Sequence, residues 1–225
     1  LGVLILLFSC YPRAGHMLPA SLPTRRASVL VLLLRGLVAA AFFGSEAYVP
    51  FLLQARHGLS ASAAGLALTV AALSWAGASW LHGRLGEQRL TASRTFGTGL
   101  TLVLVSLTSA LAVAVWGLPW WVLVAGWFVG GAGMGAMYPR LSMLTLRFSG
   151  EGDDGFASSA LTIADASGSV VGLAVTGLLF VGSGGADGAW SFPLVFVAMT
   201  AIALVGTVAV RRLGTVPAPP TPGAA

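Results

Sequence analysis

Charge is what this sequence has least of. Only 8% of its 225 residues are charged, while 56% are hydrophobic. Water-soluble domains carry about 25% charged residues, so an ordinary soluble fold is excluded and the chain reads as an integral membrane protein. The twelve basic residues are all arginine and the net charge is +5. They are spread over loops and are not interleaved with exposed aromatics, which argues against nucleic acid as a partner. There is one cysteine, Cys10, which excludes an intramolecular disulfide and a multi-cysteine metal site. His16, His57 and His82 lie in different loops or span ends, with no ligand spacing between them. No His-Glu-x-x-His, phosphate loop or nucleophile elbow is present. No catalytic residue and no metal ligand is therefore assigned. Alternation of period two is also missing, and the apolar runs are too long for the strands of a membrane β-barrel.

What is present is a series of apolar runs long enough to cross a bilayer, which takes about 20 residues per helix. Six are expected, near 29–53, 60–82, 95–115, 119–146, 156–181 and 191–210. Residues 1–11 are apolar but too short to span, and are expected to be the end of a truncated transmembrane helix. Residues 12–28 read as a cytoplasmic linker, 29–212 as a six-helix transmembrane domain, and 213–225 as a disordered, proline-rich cytoplasmic tail. The loops alternate in charge. Arg13, Arg25 and Arg26, then Arg84, Arg89 and Arg94, then Arg147, and finally Arg211 and Arg212 fall on one side, while the other has only Arg56. By the positive-inside rule the arginine-rich side is cytoplasmic, so both ends of the six-span unit are expected inside.

The most informative run is the fourth, from Gly126 to Arg147. Gly126, Gly130, Gly131, Gly133 and Gly135 permit close approach of helix backbones in lipid, and Pro139 is expected to bend the helix or free a carbonyl. A match in it to a dinucleotide fingerprint follows no strand and is discounted. Ionisable residues inside spans are costly and face protein or water-filled pathways. They are Arg35 and Glu46 in the first span, Arg140 in the fourth and Asp165 in the fifth. The third and sixth spans have none and are expected to face lipid. This period of three suggests two inverted repeats of three helices. Arg140 lies about 10 Å and Asp165 about 13 Å in from the same side at the helical rise per residue. Consecutive antiparallel helices are usually neighbours, so Arg140 and Asp165 are expected to form a buried ion pair, the alternative being that Arg140 snorkels to the interface and Asp165 stays protonated. Glu46 has no basic residue at its depth. Burial favours the neutral form of a carboxyl group, which makes Glu46 the candidate for proton coupling.

With this organisation in place, the sequence resembles the C-terminal half of a major facilitator superfamily (MFS) transporter, and more narrowly the drug:proton antiporter branch of bacterial exporters. Segment 12–28 resembles the connection between the two six-helix halves. Ser79-Trp-Leu-His-Gly-Arg-Leu-Gly86 resembles the family's motif Gly-x-x-x-Asp-Arg-x-Gly. Arg84 and Gly86 match it, while Ser79 and Gly83 replace the first Gly and the Asp. Gly130, Gly131, Gly133 and Gly135, with Tyr138 and Pro139, resemble the glycine-rich helix ten of exporters. The resemblance implies an all-α membrane fold and alternating access. The first, second, fourth and fifth spans would line a cavity and the third and sixth would be peripheral. It implies no enzyme activity, no cofactor, and proton-coupled export of drugs or other small amphipathic molecules across a bacterial cytoplasmic membrane. Its partners would be the lipid bilayer, protons, a small-molecule substrate, and a missing N-terminal half or a second copy. The alternative is a transport-inactive fragment or a non-transporting membrane scaffold.

Overall fold

A computed structural model of the chain describes residues 22–85, 92–148 and 154–213. The expected helix end at 1–11, most of the linker, Gly86 and nearly all of the tail lie outside them. Every long element is a helix: α1 (Leu22–Glu46), α2 (Tyr48–His57), α3 (Ala61–Leu85), α4 (Ala92–Trp116), α5 (Trp120–Phe148), α6 (Asp154–Gly182) and α7 (Ser191–Leu213), with a 3-10 turn at Gly185–Asp187 before α7. Among the described residues six spans are long and apolar enough to cross a membrane, the first being Val29–His57, which contains most of α1 and all of α2. Helix begins at Leu22, inside the segment expected to be linker.

The ends of the spans have local causes. Helix α2 stops at Gly58, whose φ of 65° is open to glycine and strained for other residues. There Leu59 N–H donates to Leu53 O and Gly58 N–H to Gln54 O, the latter being the 5→1 bond of an αL cap. Ser60 follows at once, and its hydroxyl accepts from Ala63 N–H at the start of α3, as an N-cap does. Helix α4 ends the same way at Gly117, and Pro119 precedes α5.

The helices form two rows. Along the front row α3 packs on α5, α5 on α1, and α1 on α6. Behind it α4 packs on α5, α7 on α1, and α4 and α7 on each other. Exchanging the first three spans for the last three maps α1·α6 onto α5·α3 and α1·α7 onto α5·α4. These pairings thus have their counterparts, the arrangement that two three-helix repeats require.

Small residues set these pairings. Gly36, Ala40 and Gly44 of α1 meet Ala164, Gly168 and Gly172 of α6, main chain against main chain. A Cβ on Gly172 would lie 2.9 Å from Ala40 Cα. Gly131 and Gly135 of α5 meet Ala71 and Trp75 of α3 in the same way, while Gly130 and Gly133 meet Ser106 and Gly99 of α4. The glycines of α5 therefore serve two seams, one on each side of the helix. In lipid no hydrophobic effect draws helices together, so van der Waals contact of this closeness is a main source of attraction. The back row, α4 and α7, carries no ionisable residue from Thr95 to Trp116 or from Ser191 to Val210.

Candidate functional site

Three front-row helices converge on Asp165. Arg35 Nε donates to Asp165 Oδ1 at 2.7 Å, and the Tyr138 hydroxyl donates to the same oxygen at 2.9 Å. The Arg35 guanidinium also lies 3.5 Å over the centroid of the Tyr138 ring, and its Nη1 donates to Tyr138 O at 3.4 Å. One carboxylate oxygen thus joins α1, α5 and α6. The pair is mostly out of solvent, with 12% of the Arg35 side chain and 28% of the Asp165 side chain exposed. Charge-assisted bonds of this kind are about twice as strong as neutral ones.

The partner of Asp165 is Arg35, and the expected pairing with Arg140 is corrected accordingly. Helix geometry gives the reason. Arg140 follows Tyr138 by two residues, about 200° around the helix, so it leaves the face that Tyr138 turns toward Asp165. It lies instead on the stripe of Gly133, which packs on α4. The assumption that consecutive helices pair was the source of the error, because α6 packs chiefly on α1. The three-helix repeat and the small residues spaced four apart in both α1 and α6 were the signals that could have found Arg35.

Pro139 lies within α5, which is helical on both sides of it. A proline lacks the N–H that would bond the carbonyl four residues earlier, here that of Gly135. The Ser79 hydroxyl of α3 donates to that carbonyl at 3.0 Å, and Ser74 donates to Phe128 O at 2.6 Å. Ser79, where the resemblance would place a glycine, therefore has its own role as the donor Pro139 lacks. Arg84, matched by the same resemblance, lies 4.1 Å over the Trp80 ring one turn earlier.

Glu46 sits where the hydrogen-bond ladder of the first span breaks, although Ala47 keeps a helical φ of −61° and ψ of −28°. Helix α1 ends at Glu46 and α2 begins at Tyr48. Pro50 has no N–H for the Glu46 carbonyl, and the Ser45 hydroxyl bonds back to Ala41 O and Phe42 O, a pattern that bends helices. Glu46 is half-buried. Arg35 lies eleven residues before it, nearly in line along α1 and about 16 Å away. Among the described residues no basic side chain is within ion-pair distance of Glu46.

Between these charges stands a group of rings not anticipated from the sequence. Trp75 of α3 meets Tyr138 at 4.7 Å between centroids and Phe43 of α1 at 6.1 Å, and Phe43 lies 6.4 Å from Tyr138. Behind them Phe42 stacks on Trp127 at 5.0 Å. Tryptophans usually gather at the membrane boundary, as Trp116, Trp120, Trp121 and Trp190 do at span ends. Trp75 and Trp127 are in mid-span, and that departure was the available clue. No group of three or more His, Cys, Asp or Glu that could hold a metal occurs among the described residues.

A sequence model of the family described as the Major Facilitator Superfamily matches residues 31–225. A search of curated proteins finds no match to the chain.

Proposed function

Because the chain belongs to the Major Facilitator Superfamily and is a multi-pass membrane transporter, we propose that it is one six-helix half of a proton-coupled exporter. Its substrates on this reading are drugs or other small amphipathic molecules, and its site a bacterial cytoplasmic membrane with the arginine-rich loops inside. The observation that carries the reading is the bond set of Arg35, Tyr138 and Asp165. Charged side chains inside a membrane-spanning bundle are expensive and are a mark of transport pathways. A scaffold has no use for them.

The front row supplies the wall of the pathway. Its two outer helices, α3 and α6, are the least buried of the spans. They expose Leu66, Leu73 and Trp80, and Ile163, Val170 and Leu178. A second six-helix unit, the matching half or another copy, would cover these apolar faces and close a cavity against α1 and α5. Within it Asp165 is committed to Arg35 and Tyr138. Glu46 is the carboxylate left to exchange a proton with the cavity, and Arg140 serves the α4 side of the bundle.

The test uses the product of the complete gene in liposomes holding a pH-sensitive dye. Adding a transported compound should move protons across the membrane, and Glu46→Gln should abolish that movement while the protein stays folded. Proton-coupled transport that survives Glu46→Gln would remove Glu46 from the mechanism.

A further inference from the structure

We propose that the six spans move as two three-helix bodies, not as one rigid unit, and that Tyr138 is the latch between them. One body is α1 with α6 and α7, and it carries α2. The other is α3, α4 and α5. The inference goes beyond the exporter reading and holds whatever the chain exports.

Repeats and packing divide the chain differently. Two three-helix repeats would be α1–α4 and α5–α7. The close seams instead join α1 to α6, and α5 to both α3 and α4. Each repeat has therefore given its first span to the other. Within a body the seams are main chain on main chain. A Cβ on Gly168 would meet Gly36 O, one on Gly135 would meet Trp75 O, and one on Gly133 would meet Gly99 O. Ser74 and Ser79 of α3 also donate to α5 carbonyls. Helix α7 reaches the α1–α6 seam, where a Cβ on Gly44 would lie 2.9 Å from Met199 Sδ. Helix α2 is fastened to the same body. Arg56 Nη2 donates to Gly188 O at 3.1 Å, and the Phe51 ring lies 5.6 Å from that of Phe192. Backbone contacts of this closeness hold helices by van der Waals attraction and have no rotamers to change.

Between the bodies the contacts are of another kind. No described glycine of one body meets the main chain of the other. Phe42 of α1 stacks on Trp127 of α5 at 5.0 Å. A Cβ on Gly206 of α7 would lie 3.3 Å from the end of the Leu100 side chain of α4. Faces made of side chains can slide or part by small steps, as in hinge and shear motions. Two hydrogen bonds that cross the boundary both involve Tyr138. Its hydroxyl donates to Asp165 Oδ1 at 2.9 Å, and its carbonyl accepts from Arg35 Nη1 at 3.4 Å. Arg35 and Asp165 belong to one body, so their ion pair survives an opening that Tyr138 does not follow. The chain passes between the bodies twice. Gly58–Ser60 joins α2 to α3, with Gly58 in the left-handed region, and 149–153, outside the described residues, joins α5 to α6. Across the boundary α4 packs on α7 more extensively than α1 on α5. The hinge therefore lies along α4 and α7, and the α1–α5 face is the one that opens.

Paired spin labels on the complete gene product in lipid nanodiscs distinguish two bodies from one. Ser62 and Val181, at the outer ends of α3 and α6, span the boundary. Ser62 with Thr98 lies within one body, and Ser159 with Trp190 within the other; all five positions are exposed. Each pair is replaced by cysteine in a background free of other cysteines, and the distances are read by double electron–electron resonance. Tyr138→Phe should shift the balance toward the open arrangement about fivefold, the worth of one hydrogen bond. The Ser62–Val181 distribution should then broaden and gain a second component, while both within-body distributions stay unchanged. A Ser62–Val181 distribution as narrow as the other two in a folded Tyr138→Phe protein, with and without a transported compound, overturns the two bodies. Broadening of the within-body pairs to the same degree does so as well. Movement across the boundary that Tyr138→Phe leaves unaltered overturns Tyr138 as the latch.

Discussion

Replacing Arg35 by methionine removes one partner of the ion pair and leaves Asp165 with the Tyr138 hydroxyl alone. Removing one member of a fully buried pair destabilises by about 3–5 kcal/mol, because the remaining charge is left uncompensated. The side chains here retain 12% and 28% exposure, so a value at or just below the bottom of that scale applies, about 2–3 kcal/mol. Asp165→Leu should have a similar effect by stranding Arg35. The double variant strands no charge and only the Tyr138 hydroxyl loses its acceptor, and exchange of a buried pair for apolar side chains of similar size is often near neutral. The two single changes should therefore be far from additive, with a coupling of at least about 2 kcal/mol, when independent sites add to within about 0.5 kcal/mol. Arg140→Met combined with Asp165→Leu provides the control and should be additive, because Arg140 faces α4. The assay is reversible denaturation in mixed micelles followed by circular dichroism. Additive effects for the Arg35 and Asp165 changes, or strong coupling of Asp165 to Arg140 instead, would refute the assignment of the pair.

Tyr138→Phe removes one hydroxyl bond to Asp165 and should lower stability by about 1 kcal/mol in the same assay. Gly172→Val should block the α1–α6 seam, where even a Cβ would meet Ala40; the expected result is loss of folded protein on size-exclusion chromatography. Gly77→Ala, where a Cβ meets nothing within 4 Å, should leave the fold intact and raise helix stability by up to about 1 kcal/mol. Pro50→Ala restores an N–H for the Glu46 carbonyl and should raise thermal stability while lowering transport. Transport unchanged by that repair would show that the break has no part in function.

The six spans were legible because each is an unbroken apolar run bounded by residues that stop helices. Gly58 and Gly117 end two of them by a mechanism visible in the sequence, and the boundaries agree to within a few residues. The exception is the first span, which continues through the interruption at Ala47 to His57, past the expected end at 53. The division into two repeats was also legible, from charges in the first, fourth and fifth spans. What a single sequence could not supply is which helix lies beside which. Depth alone placed Arg140 and Arg35 comparably, and only the packing of α6 on α1 decides between them. Phe43 and Trp75 escaped notice because aromatic residues in an apolar span carry no period or motif. Their meaning arises from rings on other helices that no spacing along the chain can reveal.

The bond from Ser79 to Gly135 ties two distant positions into one unit of inheritance. A serine at 79 is needed to the extent that residue 139 cannot donate to the carbonyl at 135. With Pro139→Ala the main chain supplies that bond itself, and Ser79→Ala should then have little effect; with proline present it should cost about 1 kcal/mol. Among related chains the two sites should change together. A lineage that restores an ordinary amide at 139 becomes free to accept glycine or alanine at 79, while one that keeps the proline must keep a hydroxyl facing it.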